Sequence, residues 1–170
     1  MKITYLHHSG FSVETETKVL LFDYYTEGGR KAYFDPAAYP DKAVFVFVSH
    51  AHEDHYDRRI LSWAKLPNVR YVLSFDVRTE AGFEGRVLRA EPHRTYDFDV
   101  ISIQTLRSND EGVAFLVKAD GKTIYHACDL NWWHWNGEPE DFNAHIEKSY
   151  TTEINRLKGE KIDVAFVPAD

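Results

Sequence analysis

Apolar and polar residues alternate in short runs along the N-terminal part of the chain, with the period of two that a half-buried strand requires. Ile3 to His7, Phe11 to Thr15 and Lys18 to Phe22 form three such runs separated by polar turns, which predicts an antiparallel meander. From Asp23 to Lys42 the sequence carries Gly28-Gly29, Asp35-Pro36 and several tyrosines, so a loop bordering a site is predicted there. Ala43 to Val48 is apolar throughout, as in a strand buried on both faces, and it runs directly into Ser49-His50.

Beyond that point, Arg58 to Leu66 has helical spacing at Ile60, Leu61 and Ala64 and stops before Pro67, and Val69 to Ser74 returns as a strand. Val87 to Ala90 and Asp99 to Leu106 are further predicted strands. Val113 to Lys118 pairs with Lys122 to Ala127 across Asp120-Gly121, a strong hairpin signal. Pro139 to about Lys158 reads as a long helix with Phe142, Ile146, Ile154 and Leu157 on one face, and Ile162 to Val167 as a last buried strand. The chain has no repeat of solenoid period, so one domain over residues 1–170 is predicted, layered as helix, sheet, sheet and helix.

Composition narrows the picture. A chain of 170 residues that is 44% hydrophobic fits one core. Its 20 Lys and Arg against 27 Asp and Glu leave a net charge of -7, so no positive field is present to gather nucleic acid. Cys128 is the single cysteine and cannot form an internal disulfide; Met1-Lys2 leads into a strand rather than an apolar signal segment. Both point to a cytoplasmic protein. No apolar run reaches the length of a membrane span, and homo-oligomerisation stays open.

The chemistry concentrates in His50-Ala51-His52-Glu53-Asp54-His55. His50 and His52 alternate onto one side of an extended segment, and Asp54 and His55 follow where the chain turns, so that several donors can converge on a small volume. Neutral imidazole and carboxylate are ligands that Zn(II), Mn(II) or Fe(II) accept, and a centre with an open position acidifies water. One or two zinc ions are the expected cofactor.

HxHxDH after an apolar strand resembles the signature of the metallo-β-lactamase superfamily. Leu20-Leu21-Phe22-Asp23 and His126-Ala127-Cys128-Asp129-Leu130 are similar to two further segments of that family, and Leu6-His7-His8-Ser9-Gly10-Phe11 resembles the opening of its ascorbate-phosphate lactonase-like branch. The resemblance implies an αββα sandwich with the site at one edge of the two sheets. It implies that His50 and His52 ligate one metal, Asp54 and His55 a second, and that Asp129 bridges them. Asp23 would orient the ligands from behind, and His8 would lie at the metal or the substrate, a plain strand histidine being the alternative.

Two departures qualify the resemblance. Where the family places another histidine, this chain reads Leu106-Arg107-Ser108-Asn109-Asp110-Glu111-Gly112, so Asp110 is a candidate oxygen ligand in its stead, and a solvated turn is the plainer alternative. The family also continues to a late histidine, whereas this sequence ends at Val167-Pro168-Ala169-Asp170. Two readings follow: a piece of a longer protein, or a shortened fold with an incomplete or single-metal centre.

The function implied is hydrolysis of a small molecule by metal-activated water, with Asp54 holding that water or moving its proton; lactones, esters, thioesters, amides and phosphodiesters are all compatible. The alternatives are a degenerate module that binds a metal or ligand without catalysis and, against the charge balance, an RNA-processing nuclease. A di-iron redox centre fits less well, because relatives of that kind typically carry Glu where this chain has His52. Trp132, Trp133 and Trp135 beside His134 would form an aromatic wall for the substrate or pack into the core.

Overall fold

A computed structural model describes residues 1–26, 34–79 and 85–169; Gly28-Gly29 lie outside them. The first sheet contains β1 (Lys2–His7), β2 (Gly10–Glu14), β3 (Lys18–Phe22), β4 (Ala43–Val48), β5 (Val69–Ser74) and β6 (Val87–Ala90), in chain order. Its first three strands are antiparallel, as the meander predicts, and β3 to β6 are parallel. The second sheet runs β11 (Val164–Phe166), β10 (Lys122–His126), β9 (Val113–Ala119), β8 (Ile101–Arg107) and β7 (Thr95–Phe98). All its pairs are antiparallel except β10 with β11. A helix, α1 (Glu140–Ile154), makes that crossover.

The strands sort their side chains by parity, which builds the layers. Phe45 and Phe47 of β4 point between the sheets with Leu20, Phe22, Phe115 and Val117. Val44, Val46 and Val48 point outward onto Ile60 and Trp63. On the far side, Ala114, Leu116 and Tyr125 meet Tyr150, Ile154 and Leu157 of α1 and the turn after it. Strands such as β4, apolar on both faces, therefore end up covered on both faces, and the αββα sandwich expected from the sequence is the fold observed. Ile162 to Val167 is not the buried strand expected: only Val164–Phe166 pairs, at the edge of its sheet, with Ala165 and Val167 exposed.

Local differences have local reasons. Arg58–Lys65 is a 3-10 helix rather than an α-helix, started by Asp57 Oδ1 accepting from Arg59 N–H at 2.9 Å. The Tyr71 hydroxyl donates to its Ile60 carbonyl at 2.7 Å. β7 was not expected: Asp99, predicted to open a strand, instead sits at φ 56° in the turn joining β7 to β8. Phe142 does not join the buried face of α1 but is exposed. Glu153 is buried and ties α1 to the sheet, accepting from His93 Nε2 at 2.8 Å and Arg107 N–H at 3.0 Å. Among the described residues, no helix is long and apolar enough to cross a membrane.

Candidate metal centre

Because β3 and β4 are parallel, their C-terminal ends leave the first sheet at the same edge, and β10 of the second sheet ends beside them. That edge receives Asp23 after β3, Ser49 to His55 after β4 and Cys128-Asp129 after β10. The loop between β8 and β9 brings Asp110, and the turn between β1 and β2 brings His8. Loops at strand C-termini are where α/β sheets place their sites. His8, Asp23 and Cys128 all have φ between 42° and 51°, a region costly for side-chain-bearing residues and concentrated at functional sites.

Two glycines let this edge close. A Cβ on Gly10 would lie 2.8 Å from the His7 carbonyl oxygen and 3.0 Å from that of Asp23. One on Gly112, which has φ +69°, would lie 1.9 Å from the Ser49 carbonyl oxygen. The Ser49 carbonyl accepts from Val113 N–H at 2.9 Å, so the β8–β9 loop is fastened directly to the histidine motif.

The deepest layer is organised by Asp23, which is wholly buried. Its Oδ1 accepts from Ser49 N–H at 2.8 Å, and its Oδ2 faces Ser49 Oγ at 2.8 Å, His126 Nε2 at 2.9 Å and His55 Nδ1 at 3.2 Å. Burial by itself would raise the Asp23 pKa. The charge and hydrogen bond of His126, with those of His55, outweigh it and hold the carboxyl well below the usual range. For His55 burial favours the neutral ring, but the hydrogen bond and charge of Asp23, with Asp129 and Asp54, raise its pKa. His50 moves the other way: burial, then the charge of His55, lowers its pKa.

With Nδ1 of His55 turned to Asp23, its Nε2 faces the rim, 3.4 Å from Asp129 Oδ2 and 3.9 Å from Asp54 Oδ1. The same Asp129 oxygen lies 3.7 Å from His50 Nε2. His50 Nε2 and His52 Nδ1 face each other at 2.9 Å, with Asp110 Oδ2 4.0 Å from His52 Nδ1. His8 Nε2 lies 3.3 Å from Asp54 Oδ2. Donor atoms of His50, His52 and Asp110 lie within 4.8 Å of one another, as do those of His8, Asp54 and His55. Asp129 stands between the two groups. Imidazole nitrogens and carboxylate oxygens gathered at this spacing are a donor set that fits divalent transition ions.

All eight residues singled out in the sequence are thus brought to one place. Four of their neighbours were missed. Ser49 and His126 were visible only as members of quoted segments, and Glu111 as part of a polar turn, yet its Oε2 lies 3.4 Å from His52 Nε2. Cys128 had been read only for its inability to form a disulfide. Its buried Sγ lies 2.7 Å from Ser49 Oγ and 3.3 Å from His55 Nδ1, and burial, then the charges of Asp23 and Asp129, raises its pKa.

A cleft of about 340 Å³ opens beside this cluster, lined by His8, Asp129, His126, Phe11, Phe166 and Trp133 among others. Phe11 and Phe166 stack at 4.1 Å, and Trp133 Nε1–H donates to the Asp129 carbonyl at 3.0 Å. Trp132 and Trp135 do not pack into the core as one reading of the sequence had it; both are half exposed.

A two-sheet sandwich with histidines and aspartates gathered at the shared edge defines the metallo-β-lactamase class of fold. The chain belongs to this superfamily: the family model described as "Beta-lactamase superfamily domain" matches residues 2–137. It is similar to a UPF0173 metal-dependent hydrolase of Pyrococcus abyssi, at 27% identity over 140 residues, covering 76% of this chain and 61% of that protein. One from Geobacillus thermodenitrificans is 30% identical over 145 residues, covering 76% and 63%. The chain spans about three fifths of the length of these curated relatives.

Solved structures with the same fold include the Cronobacter sakazakii metallo-β-lactamase with a HARLDQ motif, at TM-score 0.52 and 14% identity over 92% of this chain and 66% of that one. The Streptomyces venezuelae diiron β-hydroxylase CmlA matches at TM-score 0.55 and 16% identity, covering 96% of this chain and 33% of its own.

Proposed function

We propose that the protein is a metal-dependent hydrolase acting on a small organic substrate. The observation that carries this reading is the convergence of His50, His52, Asp54 and His55, all from the loop after β4, with Asp129 from the end of β10 in the other sheet, next to a cleft of substrate size. The names of the UPF0173 relatives support it. His50 and His52 would hold one ion and Asp54 and His55 a second, with the Asp129 carboxylate available to either, and zinc is the reference ion. Such ions, when bound, make water acidic enough to attack near neutral pH and polarise the bond under attack.

The remaining work falls to the chain itself. Asp23 fixes the His55 ring so that Nε2 is the nitrogen presented to the ion. The Asp54 carboxylate, half exposed at the rim, positions the attacking water and takes its proton, with His8 Nε2 beside it to bind the substrate or pass that proton on. Phe11, Phe166 and Trp133 give the substrate's organic part an apolar wall. Lactones, esters, thioesters and phosphodiesters are the bond classes such a site can open. The lone, buried Cys128 fits a cytoplasmic setting.

The test is turnover of a panel of these four bond classes by protein supplied with divalent ions. Ion-dependent hydrolysis that His52→Ala abolishes is the expected result. A protein that holds its metal but hydrolyses none of them would instead be a binding module of the same fold.

A further inference from the structure

Resting on the metal-dependent reading above, we propose that the ion position at His50 and His52 is completed by Asp110 as an oxygen donor, with Glu111 as the positioning residue for His52, so that the ratio of Mn(II) to Zn(II) affinity at this half of the centre is higher than a third imidazole would give. Three observations point there. First, His52 presents Nδ1 to His50 Nε2 at 2.9 Å and to Asp110 Oδ2 at 4.0 Å, while its other nitrogen faces Glu111 Oε2 at 3.4 Å. A neutral imidazole carries one proton. A carboxylate on the Nε2 side favours the tautomer with its proton there, which would leave the Nδ1 lone pair for an ion.

Second, the loop carrying these carboxylates is fastened at several points. Asn109 Nδ2 donates to the Asn131 carbonyl at 2.6 Å, and Asn131 N–H returns a bond to Asn109 Oδ1 at 3.2 Å. Ser108 N–H donates to the Gly112 carbonyl at 3.3 Å, and Asp110 N–H to Ser108 Oγ at 3.2 Å. Gly112 itself sits against the Ser49 backbone. Ion pairs as exposed as that of His52 and Asp110, each 48% exposed, add almost nothing to folding. Holding them so firmly over the histidine motif is therefore better matched to a ligand than to stability.

Third, the charges balance. Asp54, Asp110, Glu111 and Asp129 together offset two divalent cations at an edge where Asp23 already supplies a buried negative charge to His55 and His126. Carboxylate in place of a third imidazole shifts relative preference toward hard ions; zinc still binds more tightly in absolute terms, so the inference concerns the ratio of the two affinities.

The test is competitive loading of the metal-stripped chain with Mn(II) and Zn(II), with bound Mn(II) read by electron paramagnetic resonance and bound zinc by mass spectrometry. Asp110→His is expected to shift the ratio toward zinc by about tenfold, and Asp110→Asn, which preserves shape and needs no new fold, to weaken both ions by about tenfold. Glu111→Gln is expected to weaken them by a similar factor. Affinities that stay within about twofold of wild type in both Asp110 variants overturn the assignment while leaving the hydrolase reading intact. A wild-type chain that takes up no divalent ion overturns both.

Discussion

The site has a floor and a rim, and the two are built differently. On the floor, Asp23, Ser49, His50, His55 and His126 are no more than 1% exposed and are joined by a continuous set of hydrogen bonds. On the rim, His8, His52, Asp54, Asp110 and Glu111 have side chains 45–55% exposed and meet one another mostly at 3.3–4.0 Å, longer than good hydrogen bonds. Floor residues are held by each other and belong to the fold. Rim residues have no such network among themselves, and on the proposed reading a bound ion would draw several of them together. The contrast teaches that mutations of equal chemical severity should cost stability on the floor, where the proposed ligands His50 and His55 also sit, and should cost binding with little stability on the rim.

The sharpest break would come from Asp23→Ala, which leaves His55, His126 and Ser49 buried without their acceptor. A loss of about 3–5 kcal/mol in urea unfolding is expected, together with loss of metal. Gly112→Ala comes next: its Cβ would overlap the Ser49 carbonyl, so about 2–3 kcal/mol should be lost and the β8–β9 loop displaced. Hydrogen exchange at Val113, whose amide bonds Ser49, would register that displacement.

Asp120, away from the site, sharpens the comparison because it uses the floor's chemistry for stability alone. It accepts from Thr15 Oγ1 at 2.7 Å and from Thr17 N–H and Oγ1 at 2.8 Å, and pairs with Lys18, clasping the second sheet's hairpin to the first sheet. Burial would raise its pKa, but the Lys18 and Thr15 bonds, with those of Thr17, lower it. A lowered carboxyl stabilises fully above its ordinary value of about 4 and loses that contribution as pH falls through the folded value. Asp120→Asn should therefore cost about 2 kcal/mol at neutral pH, with a gap to wild type that shrinks below about pH 4. A gap unchanged at acid pH would show that ionisation of Asp120 is not what the clasp uses.

The smallest stability effect belongs to the rim. His52→Ala in the metal-free protein should change unfolding free energy by no more than about 0.5 kcal/mol, yet abolish metal retention. A large loss of stability in that variant would erase the distinction between floor and rim.

Much of the fold was legible because short runs that are apolar throughout, such as Val44 to Val48, admit few arrangements other than a doubly covered strand. β7 was hidden: Thr95-Tyr96-Asp97-Phe98 carries only two apolar residues, both half-buried, since it is the edge of its sheet. At the site, the three histidines and the aspartate of the HxHxDH segment were legible from type and spacing. His126, Ser49 and Cys128 were not, because their roles depend on contacts with residues up to 103 positions away that only the sandwich creates. Glu111 was obscured by its setting among Ser, Asn and Asp, a composition that describes a turn equally well.

The most direct test of the central claim is the metal content of the wild-type chain, measured by mass spectrometry after purification without a chelator or a metal-binding tag. About two equivalents of divalent metal per chain, lost in His52→Ala while the fold persists, is the result expected of two ion positions joined by Asp129. A folded chain carrying a small fraction of one equivalent, with no further uptake when divalent ions are supplied, would contradict the account.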